Sequence, residues 1–284
     1  MIGMKWYKSV LFVFNGVFNL VFGQINSDVP NYSNWTELTK GMEYREVNAP
    51  IKSIIGDSKL CMLRMDPKYF EYDIHSATQY DKKSRNAYDW ADTFRLNVVF
   101  NASMYDLSTP LKSKGYLGTK EHVNNGVIRE NYRSMIAIGP KDSSEQNIQV
   151  LDLGCETWLS RKDDFDGYAQ GLRMINCDGV AMAWNRRNQS CSMLVAAQDS
   201  KGWFYLIFCR SPYTHNEMIR FMKDMPYHLT NAIYLEGGPE TSLLIDVNGH
   251  CIEKVGSWVS SSYERDDNNN FWKLPNVIGV KKKN

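Results

Sequence analysis

The chain has almost no net charge: over 284 residues, 33 Lys and Arg against 32 Asp and Glu leave +1. That excludes the strongly basic surface that nucleic acid or an anionic membrane selects, and neither is expected as a partner. There is no glycine-rich loop of nucleotide-binding form, because Gly237 and Gly238 run into Pro239 and not into a helix. A G-x-S-x-G elbow and an H-E-x-x-H helix are also missing, which removes common hydrolase motifs. His75, His122, His215, His228 and His250 show no ligand spacing and the six cysteines fit no compact metal motif, so no metal site is expected. Past residue 23 no apolar run is long enough to span a bilayer. No segment repeats.

What is there begins with a charged start, Lys5 and Lys8, followed by an apolar run from Val10 to Phe22. That is the layout of a secretory signal peptide over residues 1–23, with Val21 and Gly23 small enough for a cut before Gln24. The run falls short of the roughly 20 residues a membrane anchor needs, and Asn15 and Asn19 interrupt it. The expected location is therefore secreted or periplasmic, with no membrane span after cleavage. In such a compartment an even cysteine count permits disulfides. Cys61 and Cys209 lie in apolar strand-like runs where buried thiols are common, whereas Cys177 and Cys191 flank the polar excursion VAMAWNRRNQ and are the expected pair.

Residues 24–42 lack periodicity and are rich in Asn and Ser, as a linker or edge segment would be. Residues 43–284, in a chain that is 43% hydrophobic and 13% aromatic, can bury the core of one large domain. Alternation in MEYREV, LCMLRM and YFEYDI predicts half-buried strands, and LNVVF, YRSMIAIG, IQVLDLG, GLRMI, VAMAW, CSMLVAA, WFYLIFC, NAIYL, TSLLIDV and NVIGV read as further strands. Ala87, Trp90, Ala91 and Phe94 share the apolar face of one helix. Thr214 and Glu217 have capping-box spacing ahead of a second, carrying Met218, Phe221, Met222 and Met225 up to Pro226. Asn248-Gly249 predicts a hairpin turn. Strands outnumber helices without regular alternation, so the expected class is α+β, a single domain with a strand-rich mixed sheet flanked by a few helices.

One segment stands apart from this framework. Between two apolar strands lies Tyr234-Leu235-Glu236-Gly237-Gly238-Pro239-Glu240-Thr241-Ser242. Paired glycines admit close approach of a ligand, and their N–H groups can form an anion-binding concavity. Glu236 and Glu240 bracket the turn, and two carboxylates near an anion site suit glycosidic cleavage, which needs a proton donor and often a second carboxylate. Asn101, Ser103 and Tyr105 follow a buried strand, where a rigid scaffold presents polar groups, and Asn125 lies in a second amide-rich stretch. Each of these also suits a plain turn. For a phosphate, Arg173 and Arg210 are the preferred cations because both adjoin apolar strands.

Taken in order, N-A-S-M-Y (101–105), N-N-G-V (124–127), Q-G-L-R-M-I (170–175), F-C-R-S-P-Y-T (208–214) and Y-L-E-G-G-P-E-T-S-L (234–243) resemble the phosphodiester glycosidase family, in a secreted bacterial branch. The likeness covers roughly residues 84–246. It implies hydrolysis of a glycosyl-1-phosphodiester or glycan-linked diester without an organic cofactor. Glu236, Glu240 and Asn101 would be catalytic. Ser103, Tyr105, Asn125, Arg173, Arg210, Gly237, Gly238 and Ser242 would contact substrate. Many members have Asp-Gly-Gly followed by Gly or Ser where this chain has Glu236-Gly237-Gly238-Pro239. A binding protein of the same fold without turnover is the alternative.

Overall fold

The computed structural model describes residues 34–106, 108–184 and 189–283, so the segment expected to be a signal peptide lies outside the described residues. In chain order the strands are β1 Thr36–Thr39, β2 Met42–Asn48, β3 Lys59–Met65, β4 Phe70–Ser76, β5 Val98–Asn101, β6 Tyr105–Asp106, β7 Thr109–Ser113, β8 Leu117–Thr119, β9 Val123–Asn125, β10 Arg133–Pro140, β11 Ile148–Asp152, β12 Phe165–Ile175, β13 Ser190–Asp199, β14 Phe204–Thr214, β15 Leu229–Gly237, β16 Ser242–Val247, β17 His250–Val255 and β18 Asn276–Lys282. The helices are α1 Ala87–Phe94, α2 Trp158–Arg161 and α3 His215–Asp224.

Two sheets carry the fold. The larger runs β1-β2-β3-β14-β13-β15-β12-β10-β11 with β8 and β9 attached to β12, and the smaller runs β17-β16-β5-β18-β4. Every pairing between these strands is antiparallel, so the expected mixed sheet is corrected. Hairpins and sheet-to-sheet crossings make most connections, while α2 links β11 to β12 and α3 links β14 to β15 across one intervening strand of the larger sheet. Helices are correspondingly few, and the architecture is mostly β.

The main core lies between the sheets. Leu63, Ile136, Leu194, Leu206 and Ile233 from one meet Phe70, Val98, Phe100, Leu243 and Ile278 from the other. Strands with one face toward this core bury alternate residues, which is the period-2 pattern of the sequence. On the outer face of the larger sheet, Met218, Phe221 and Met222 of α3 pack against Met174, Val195 and Tyr234. On the outer face of the smaller sheet, Ala87, Trp90 and Ala91 of α1 cover Val99, Leu244 and Val277. Helix α3 starts as the sequence predicts, with Thr214 and Glu217 forming its capping box, and Asn86 caps α1. The Asn248-Gly249 turn joins β16 to β17, both residues at positive φ.

The run VAMAW is irregular instead of a strand, bridging only through Ala181 to Ile175. The expected Cys177–Cys191 pair goes with it. β15 lies between β12 and β13, so the end of β12 does not turn back into β13. Cys177 bonds to Cys155 instead, while Cys191 is a buried free thiol. Thr36–Thr39, inside the stretch read as linker or edge, is the outermost strand of the larger sheet.

Candidate active site

The turn after β15 is where the chain leaves the larger sheet and enters the smaller one, through a short 3-10 turn over Gly238–Glu240. Glu236 is half-buried at the end of β15, and its Oε1 accepts the Gly237 N–H at 3.0 Å. Its carboxyl is pushed up to about 8, first by burial and then by the Glu240 charge; the Gly237 and Tyr105 main-chain donors and Lys114 pull the other way without offsetting it. Burial also raises Glu240, again opposed by Lys114. Burial raises the Tyr105 hydroxyl as well, with Glu240 and Glu236 adding to it. These four side chains form one electrostatic cluster.

The glycines serve this cluster by lacking side chains. A Cβ on Gly237 would sit 2.2 Å from Tyr234 Oη and 2.9 Å from Cys191 Sγ, and Gly238 is in the left-handed region at φ +74°. The Gly237 N–H is taken up by the Glu236 carboxylate.

Asn101, at the end of β5, is buried and both ends of its amide hold the turn: Nδ2 donates to Glu240 O at 3.0 Å, and Oδ1 accepts the Ser242 N–H at 2.7 Å. Ser242 is buried too and donates to Glu240 O at 3.0 Å. Ser103 shares a 2.7 Å hydrogen bond with Ser113, and Asn125 donates to Ser113 O at 2.8 Å. These amides and hydroxyls shape the walls by bonding protein to protein. Neighbouring Lys114 and Tyr105 are brought to the acids by the loop they brace.

Arg210 is taken up by partners within the protein. Its guanidinium donates to Val255 O, Asn268 O and Asp266 O at 2.9–3.2 Å and pairs with the Asp266 carboxylate at 2.8 Å. The strap it holds lies over the turn, since Asn268 Nδ2 donates to Pro239 O and a Cβ on Gly256 would meet Gly238 O. Arg173 is placed differently. It pairs with buried Asp152 at 2.6 Å and lines a cleft of about 600 Å³ together with Arg129, Tyr132, Arg133, Trp184 and His215.

Two tyrosines link the cleft to the acids. Tyr132 lines the cleft, and the Glu236 charge helps to raise its hydroxyl above the usual range, after burial and against Arg129. Tyr234, two residues before Glu236, meets the His215 ring at 4.7 Å and the Trp184 ring at 5.8 Å. His215 stacks on Trp184 at 3.9 Å, and burial lowers it to about 4, leaving it neutral at physiological pH. Asn216 clamps the Trp184 main chain through both amide ends. Reading the sequence alone missed Lys114, Arg129, Tyr132, Arg133 and Trp184, since nothing in KSKGY or VIRENYRSM sets its residues apart from solvated ones, and VAMAW reads as a strand.

Residues 94–281 match the sequence profile described as phosphodiester glycosidase. No curated protein sequence matches the chain. Among solved structures, a hypothetical protein from Synechocystis is similar with a TM-score of 0.61 and 12% identity, covering 88% of this chain. The alignment takes in 64% of that protein, so the chain spans less than two thirds of its length. The zebrafish N-acetylglucosamine-1-phosphodiester alpha-N-acetylglucosaminidase catalytic domain, auto-inhibited by its pro-peptide, is similar with a TM-score of 0.57 and 14% identity. That match covers 89% of this chain and 86% of the other. At such identities the two structures speak to the fold.

Proposed function

The chain belongs to the phosphodiester glycosidase family, and we propose that it hydrolyses a glycosyl-1-phosphodiester, releasing the free sugar and a phosphomonoester. One observation carries the reading: Glu236, raised to about 8 beside Glu240, adjoins a cleft furnished with arginine. A carboxyl that keeps its proton at neutral pH next to a second carboxylate is a pair suited to acid–base work on a glycosidic bond. In this reading water adds to the anomeric carbon as the bond from that carbon to the bridging oxygen breaks. Glu240 takes the proton from water, Glu236 donates toward the departing oxygen, and Arg173 holds the phosphate that leaves with it. Lys114 and Tyr105 set the field in which the two carboxyls differ. Asn101 acts by holding the turn.

The zebrafish domain's name supports the class of bond and not the choice of sugar. Membership of a secreted bacterial branch, and export with cleavage before Gln24, belong to the same proposal. A mature protein beginning at Gln24 on N-terminal sequencing supports export, whereas an intact Met1 in a membrane extract rules it out.

The decisive assay offers wild type and Glu236→Gln a panel of sugar-1-phosphodiesters, with a neutral aryl glycoside as control. Release of phosphomonoester by wild type, lost in the variant, is expected. Diester binding by wild type without release would instead make this a binding protein of the same fold.

A further inference from the structure

The cleft beside Glu236 has an uneven charge. Arg129, Arg133 and Arg173 line it, and none of its described lining residues is a carboxylate. Among the described residues, the one carboxylate at ion-pair distance from these arginines is Asp152, which is buried and paired with Arg173, while Asp106 and Glu236 act on Arg129 and Tyr132 from further off. Asp152 is itself heavily used: Oδ1 also accepts the Gly154 N–H at 2.7 Å, and Oδ2 accepts the Cys177 N–H at 3.1 Å. It fixes Arg173 in place and cancels one of the three positive charges. Among the described residues Arg129 uses Nε alone of its guanidinium donors, on Lys114 O at 2.9 Å. Neither Arg129 nor Arg133 has a carboxylate at ion-pair distance among the described residues. Arg133 is held at φ +56°, a conformation uncommon for arginine and worth explaining where it lines a cleft. Trp184 and neutral His215 close the wall without adding charge.

We infer that this cleft is a leaving-group site, with Arg129 and Arg133 joining Arg173 to recognise the dianionic phosphomonoester in preference to the monoanionic diester. The inference rests on the hydrolase reading and deepens it. Among the described lining residues and their ion-pair partners, three guanidinium groups less one carboxylate leave a surplus of two positive charges. The bound diester carries one negative charge. When its bond to the anomeric carbon breaks, the bridging oxygen keeps the electron pair and the phosphate approaches a second negative charge. A site matched to two charges therefore binds the transition state and the product more strongly than the substrate, which is the differential that accelerates a reaction. A phosphomonoester loses its second proton near pH 6, so the proton that Glu236 lends to the bridging oxygen is released again and the product rests in the site as a dianion.

The test is binding, which needs no turnover. Isothermal titration calorimetry compares a hexose phosphate with its methyl diester, on wild type and on Arg129→Gln/Arg133→Gln. At pH 7.5 the monoester should bind wild type at least about tenfold more tightly than the diester, with the preference shrinking toward pH 5 as the second proton returns. In the double variant the preference should fall to near unity while the melting temperature holds. Equal affinity for the two ligands overturns the inference, as does a preference that survives both substitutions or does not change with pH. A monoester preference in a protein that hydrolyses no diester upholds this site and removes the hydrolase reading. Turnover of diesters without that preference does the reverse.

Discussion

Asn101 ties the two sides of the acid-bearing turn together, its Nδ2 donating to Glu240 O at 3.0 Å while its Oδ1 accepts the Ser242 N–H at 2.7 Å. The side chain belongs to the smaller sheet and the turn arrives from the larger one, so this amide sets where Glu240 stands relative to Glu236. Asn101→Ala leaves the buried Ser242 N–H without its partner and Glu240 O with the Ser242 hydroxyl alone, at a cost of ~1–3 kcal/mol. Urea denaturation should show that loss, and kcat should fall with little change in KM because the acids are displaced while the arginine cleft is not. An alanine variant with wild-type kcat would mean that the turn holds its own geometry.

Glu236 makes activity and stability depend on pH in linked ways. Its folded value is about 8, above the ordinary 4.5, so it stays protonated in the folded protein while the unfolded chain ionises. The stability this group contributes is complete below about pH 4.5 and declines as pH rises toward 8. Glu236→Gln removes the dependence. The variant should gain ~1–3 kcal/mol on wild type between pH 5 and 9 by denaturant titration. Its turnover should drop by roughly 10² to 10⁴. In wild type, kcat/KM should decline as pH passes about 8. Identical stability profiles for the two proteins would show that the carboxyl ionises in the fold as freely as in the unfolded chain.

The turn, its two acids and both longer helices were legible because each is written locally: a glycine pair between apolar strands, a capping box, an apolar stripe at helical spacing. Arg210 and Arg173 show the limit. Both follow apolar stretches and look alike in sequence, yet one clamps the Val255–Asn268 strap and the other faces the cleft, a difference set by which strands become neighbours. The same non-local choice misdirected the disulfide, since β15 enters the sheet between β12 and β13 only after some fifty further residues have been threaded. Arg129, Arg133 and Lys114 carry no local signal at all, because a cleft-lining cation and a solvated one have the same sequence neighbourhood.

Gly237 is as exacting as the acid before it. Its missing side chain leaves room for Tyr234 Oη, which a Cβ would approach to 2.2 Å, and the Cys191 thiol and Ser192 carbonyl close the remaining space. Gly237→Ala should therefore shift either Tyr234 or the turn, and Tyr234 also touches the His215 and Trp184 rings that wall the cleft. Both kcat and KM should worsen, against the kcat-centred loss expected at Asn101. A crystal structure of the variant with Tyr234 unmoved and full activity would remove this coupling.

The Cys155–Cys177 bond and the Asp152–Arg173 pair hold the same junction, where the end of β11 meets the chain just beyond β12. Cys177 gives its main-chain N–H to Asp152 Oδ2 at 3.1 Å, so the covalent link and the ion pair share a carboxylate. Closing a loop with a sequence separation of 22 contributes on the order of 3 kcal/mol in the chain-entropy account. Cys155→Ser/Cys177→Ser should lower the melting temperature by several degrees, and a reductant should shift wild type by a similar amount while leaving the variant where it is. Asp152→Ala should cost more, ~3–5 kcal/mol, because it strands a largely buried guanidinium. The two changes should be non-additive when combined, as expected for groups that share a partner. Peptide mapping of the non-reduced protein decides the connectivity on which all of this depends. A linked peptide joining Cys177 to Cys191 would overturn it, whereas Cys155 joined to Cys177, with Cys191 alkylated only after unfolding, is the expected result.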